Sequence, residues 1–139
     1  MILDTNVLLS ALIRVDSNPY KLVQAWLGGR FEPSPIQLQE ISRVARYPDV
    51  RRFMEPADVG WLINRMRERA LIVERLPDVD VSADPGDNFL IAMAQAGNVD
   101  YLVTGDKAGV LAIGKHGKTQ IVAVNKMVTT LKLMMRNLV

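Results

Sequence analysis

The chain contains no cysteine and only one histidine. Without thiols there can be no disulfide, no thiolate nucleophile and no cysteine-ligated metal, which fits a reducing cytoplasm. One imidazole rules out any centre that needs several. His116 itself lies in Gly114-Lys115-His116-Gly117-Lys118, which reads as an exposed turn with a surface histidine. No apolar run reaches the length of a membrane span, and no basic-then-apolar segment opens the chain, so no membrane association is expected. Repeats, low-complexity tracts and linkers are missing as well. After Asp106 there is no acid at all, against six basic residues: Lys107, Lys115, Lys118, Lys126, Lys132 and Arg136.

What is present is ordinary for a globular protein. Hydrophobic residues make up 49% and charged residues 23% of 139 positions, which suits one folded domain over residues 1–139. The net charge is only +2, but its distribution is uneven. Arg43, Arg46, Arg51 and Arg52 form one basic cluster, and Arg65, Arg67 and Arg69 another. Such faces can hold phosphate backbones, although any single cluster can equally be a solvated helix surface.

The stretch from Asp84 to Asp106 has the clearest punctuation. Asp84 can cap a helix, Pro85 suits its first position, Asp87 falls in its first turn and Gly97 is a natural stop. Tyr101-Leu102-Val103 then reads as a strand that breaks at Thr104-Gly105-Asp106. At the other end of the chain, Met1-Ile2-Leu3 is a thin strand that gives way at Asp4 to a helix over 5–14. Its shortness suggests a residue or two in front.

Further helices are expected from Pro19 or Tyr20 to Gly28-Gly29, and from Pro35 onward. In the latter, Ser34 and Gln37 form a capping box and Leu38, Ile41 and Val44 make the apolar side. Another runs from Pro56 to Ala70, and a last one over 126–137 is capped by Asn125. Phe31-Glu32-Pro33 is a poor edge strand, Leu71-Ile72-Val73 and Val79-Asp80-Val81 are short β-like runs, and Thr119 to Val124 is a clear strand. Helices alternating with wholly apolar strands imply a mainly parallel sheet covered on both faces.

In such a sheet, ligands bind beyond the carboxyl ends of the strands. Asp4 and Asp106 fall at those ends, Asp87 at a helix start, and Glu40 near the rim of the buried face of its helix. Each has an ordinary explanation. Asp84 is best read as a cap alone, Asp87 favours the positive end of its helix, Asp106 suits a turn, and Glu40 can pair with Arg43. Asp4 is the hardest to dismiss, because a buried strand does not need an acid after it. Taken together, clustered carboxylates repel unless cations hold them. An all-oxygen donor set selects Mg²⁺ or Mn²⁺, and the chemistry then points to hydrolysis of phosphodiesters.

Four segments carry a resemblance: Leu3-Asp4-Thr5-Asn6-Val7-Leu8, the helix led by Ser34-Pro35 with its Glu40, Asp84-Pro85-Gly86-Asp87-Asn88-Phe89-Leu90, and Tyr101-Leu102-Val103-Thr104-Gly105-Asp106-Lys107. In this order and spacing the chain resembles a PIN domain. It is most similar to the small prokaryotic toxins of toxin–antitoxin pairs (VapC-like). The resemblance implies a three-layer α/β/α sandwich and an endoribonuclease, dependent on Mg²⁺ or Mn²⁺, that cuts single-stranded RNA. It also implies a cognate antitoxin, and homodimers are common in such families. Asp4, Glu40, Asp87 and Asp106 match the family's four acids. Asn6 and Thr104 match polar positions that orient acids or water, and Asn88 stands where relatives can carry another acid.

The flank Gln37-Leu38-Gln39 is less acidic than is usual for the family. Two other readings follow. One is a PIN-like domain that binds RNA or protein without cleaving. The other is a phosphatase with Asp4 as nucleophile, which Asn6 disfavours because it cannot ionise and relay a proton.

Overall fold

The computed structural model describes residues 1–14, 16–27, 35–69, 75–105 and 108–136. Two strands run side by side near its centre. β1 (Ile2–Leu3) pairs in parallel with β2 (Tyr101–Thr104), and β2 pairs in parallel with β4 (Thr119–Ala123). A short β3 (Lys115–His116) closes the edge antiparallel to β4, giving the spatial order β1-β2-β4-β3. Between these strands come α1 (Thr5–Ile13), α2 (Asn18–Leu27), α3 (Pro35–Val44), α4 (Pro48–Arg51), α5 (Pro56–Arg69), α6 (Asn88–Gly97) and α7 (Ala108–Leu111), and α8 (Val124–Arg136) follows β4.

The register explains why these strands are apolar throughout. Successive side chains of a strand point to opposite faces. Ile2, Leu102 and Ile121 are aligned across the sheet, as are Leu3, Val103 and Val122. The first row packs with Leu90, Ile91 and Met93 of α6 and Val110 of α7. The second packs with Leu8 of α1, Leu22 and Trp26 of α2, Ile41 of α3, Leu62 of α5 and Met127 of α8. The result is the expected α/β/α sandwich on a mainly parallel sheet, with one hydrophobic core on each face. Trp26 secures the edge by donating its indole N–H to the Met1 carbonyl at 3.1 Å.

Several local expectations change. The helix expected from Asp84 to Gly97 is two elements. Asp84 accepts from the Gly86 N–H at 2.9 Å and heads a 3₁₀ turn over Pro85–Asp87, closed by the Asp87 N–H on the Asp84 carbonyl. The α-helix proper starts at Asn88, so Asp87 is its N-cap residue. The left-handed residue that ends α6 is Asn98, at φ 50°, rather than Gly97. Val79-Asp80-Val81 forms no strand. Asn88 Oδ1 accepts from the N–H groups of Val81 and Ser82 at 3.2 and 2.9 Å, so a side chain takes donors that a ladder would need.

Lys115–His116 is a hairpin strand rather than an open turn, because Gly117 supplies φ +58° at the bend. His116 is only half-exposed, its Nε2 lying 2.8 Å from Gln95 Oε1. Asn125 does not cap α8, which starts one residue earlier. Its Oδ1 accepts from Asn18 Nδ2 at 2.7 Å and ties the starts of α8 and α2 together. Phe31-Glu32-Pro33, Leu71-Ile72-Val73, Ser34 and Asp106 lie outside the described residues.

Candidate active site

Because β1 and β2 are parallel and in register, Asp4 and Thr104 emerge side by side at the carboxyl end of the sheet. Both are fully buried. The Asp4 N–H continues the ladder by donating to the Val103 carbonyl at 2.9 Å. Its carboxylate then turns inward. Thr104 Oγ1 donates to Asp4 Oδ2 at 2.8 Å, while the Asn6 N–H lies 3.4 Å from Oδ1 as Asp4 caps α1. A carboxylate withdrawn from water is costly unless donors or cations surround it, and these contacts supply part of that compensation.

Glu40 reaches the same end from α3. Its Oε2 accepts from Thr5 Oγ1 at 2.8 Å, so the two acids are joined through adjacent residues, Asp4 and Thr5. The alternative partner considered for Glu40, Arg43, instead donates to the Tyr47 hydroxyl at 3.2 Å. A hollow of about 270 Å³ brings Glu40 opposite Gly86 and Phe89, the residues flanking Asp87 and Asn88. The Asp87 side chain, half-exposed, makes no capping bond to α6. A second hollow of about 270 Å³ opens at the same strand ends, between Thr104-Gly105, Pro19 and Asn125.

Thus Asp4 is bonded to Thr104, Glu40 is bonded to the neighbouring Thr5, and Asp87 stands on the turn between Gly86 and Phe89, which line the hollow beside Glu40. Asn6 is exposed on the first turn of α1, touching the site through its backbone N–H. Asn88 is occupied with the Val81-Ser82 backbone, which makes it a brace of the Asp87 turn. Asp106 follows Thr104 and Gly105 but is outside the described residues. Among the described residues, no three Asp, Glu or His side chains form a group that could hold a metal ion.

Two residues hold the site in ways not expected from the sequence, in which Gln37 reads only as half of a capping box with Ser34. Thr5 holds Glu40, and Gln37 Nε2 donates to the Leu3 carbonyl at 2.7 Å, locking α3 onto β1. Gln37 had a visible signal: it lies four residues before Ile41, so a polar side chain sits on the buried stripe.

A family model for the PIN domain matches residues 1–108, more than half of the chain. The chain belongs to the PIN domain family. No curated protein and no solved structure matches it. The match spans β1 through the start of α7. β4 and α8 of this PIN domain lie beyond the matched range, yet β4 is hydrogen-bonded to β2 and completes the same sheet. PIN domains have a nuclease-type fold, generally act on nucleic acids as hydrolases, and typically use divalent metals. The donor chemistry here suits such ions, since every candidate ligand is a carboxylate and none is sulfur or imidazole. No described helix of this PIN domain is long and apolar enough to cross a membrane.

Proposed function

We propose that this single-domain chain, residues 1–139, is a metal-dependent endoribonuclease that hydrolyses phosphodiester bonds of single-stranded RNA. In this reading it is the cytoplasmic toxin of a toxin–antitoxin pair, held in check by a cognate antitoxin and able to form homodimers. The observation that carries the reading is Asp4. It is a fully buried acid at the carboxyl end of the central sheet, hydrogen-bonded to Thr104 and one residue from the Thr5–Glu40 bond.

Asp4, Glu40, Asp87 and Asp106 would hold Mg²⁺ or Mn²⁺. When bound, such an ion supplies a more acidic water and neutralises charge that develops on phosphate oxygens. The chain's own part is positioning. Thr104 fixes one oxygen of Asp4, Thr5 fixes Glu40, and Asn88 braces the turn that carries Asp87. Asn6 and Thr104 would help to orient the acids.

The test is cleavage of a single-stranded RNA in Mg²⁺ or Mn²⁺ by the native chain and by Asp4→Asn. That substitution preserves the side-chain shape and leaves Thr104 an oxygen to donate to, so the variant should fold normally. Cleavage should fall by at least about a hundredfold, the scale of a lost carboxylate in positioned acid, base or metal chemistry. Undiminished cleavage by the clean variant sinks the proposal.

A PIN domain that binds without cutting is favoured by one observation, the lack of a three-acid group among the described residues. Calorimetric titration with Mn²⁺ separates the two readings. Binding that is abolished in Asp4→Asn supports the nuclease, whereas no binding by the native chain supports the non-cleaving domain.

A further inference from the structure

The hollow beside Glu40 does not end there. Gln39 and Arg43 also line a larger hollow of about 550 Å³, shared with Arg46, Tyr47 and Arg67. Ser42 and Arg46 also line a third, of about 440 Å³, together with Arg51, Met54 and Val59. Neighbouring hollows share lining residues, so the three follow one another along α3 as a trough, the second and third of them against α5. Its charges are sorted. Among the described residues, Glu40 is the only acid lining it, at one end, and four arginines line the rest. Among the described residues, no ion pair joins any of these arginines to a carboxylate.

The sequence places them this way. Glu40, Arg43 and Arg46 follow at intervals of three, which on a helix keeps them on one side with about 4.5 Å of rise between each. The helical hydrogen bonds persist past Val44, with the Ala45 N–H on Ile41 and the Arg46 N–H on Arg43, so the row is not broken. Arg67 faces it from α5. Tyr47, 46% exposed, adds an aromatic face beside the row.

We propose that this trough is the track along which a single strand of nucleic acid leaves the candidate active site, its phosphates on Arg43, Arg46, Arg67 and Arg51 and a base against Tyr47. This deepens the nuclease reading and rests on it for the position of the scissile bond. Charge complementarity selects a polyanion, and the exposed Tyr47 ring favours a single strand, whose bases are free to stack on it. A positively charged groove with an aromatic platform is what sequence-tolerant single-strand binding requires.

The experiment measures binding rather than cleavage. Fluorescence anisotropy of a short labelled single-stranded RNA is followed against salt concentration, without divalent metal, so a failure of the nuclease reading does not affect it. Removing three phosphate contacts should lower the slope of log affinity against log salt by about 2, at ~0.7 per contact for a single strand. We therefore expect the triple variant Arg43→Gln, Arg46→Gln, Arg67→Gln to lose roughly that much slope, with affinity falling on the order of tenfold or more. The triple Lys variant should regain most of the slope.

Charge removal on α8, Lys126→Gln with Lys132→Gln, serves as the control and should change the slope little. An unchanged slope in the Arg→Gln triple overturns the track, and so does an equal loss in the α8 control. Loss of binding to polyglutamate with no loss of RNA binding overturns it in favour of an acidic protein partner. Ultraviolet cross-linking of the native chain gives a second readout that needs no variant to fold. Cross-links should fall on the peptide containing Tyr47, and their absence there counts against the proposal.

Discussion

Asp4 and Thr104 show how much can rest on one buried hydrogen bond. Neither side chain reaches water, and the 2.8 Å contact between them joins the ends of two neighbouring strands. Thr104→Val keeps the β-branched shape that suits a strand but removes the donor. The carboxylate is then left with one contact fewer in a place where water does not substitute. We expect a loss of about 1–3 kcal/mol in urea-unfolding stability, with Thr104→Ser much closer to the native chain. A Val variant as stable as the native chain would mean that Asp4 is compensated by other partners. By contrast, Asp84 is explained by its cap on the Gly86 N–H alone, so no chemistry is assigned to it.

At the scale of elements, the site is built from how helices begin and end. α1 starts on Asp4, the turn before α6 carries Asp87, and α3 is held to β1 by Gln37. The end of α6 is equally specific. Asn98 adopts a left-handed conformation at φ 50°, and its N–H closes onto Ala94 and Gln95. A side chain that tolerates this region poorly should weaken the helix end, so Asn98→Ala is expected to cost about 1 kcal/mol, while Asn98→Gly should be neutral or mildly stabilising. Thermal unfolding followed by circular dichroism distinguishes the pair. Equal melting temperatures would mean that the α6–β2 connection relaxes without cost.

For the whole molecule, the decisive feature is that both faces of a small sheet are buried. Leu102 belongs to the α6 side and Val103 to the α1 side, one residue apart, and neither is accessible. Truncating Leu102 leaves a void between β2 and α6 that flanking groups fill only partly. Leu102→Ala should therefore cost about 2–5 kcal/mol of unfolding free energy. Chemical denaturation checks it, and a cost below about 1 kcal/mol would contradict a close-packed second core. The strand also ends in Thr104 at the site, so the same packing sets the position of the carboxylates.

Much of this was written locally in the chain. Three apolar strand segments, the helix starts at Pro35 and Pro56 and the acids at Asp4, Glu40 and Asp87 follow from periodicity and punctuation, which act over a few residues. The order β1-β2-β4-β3, the union of Asp4 with Thr104 a hundred positions away and the Thr5–Glu40 bond do not. Strand pairing is a choice among distant segments of similar composition, and only burial of both faces at once selects one. The same reason decided against local signals at Val79–Val81 and Asn125, where a side-chain amide found a partner in another element and the backbone followed.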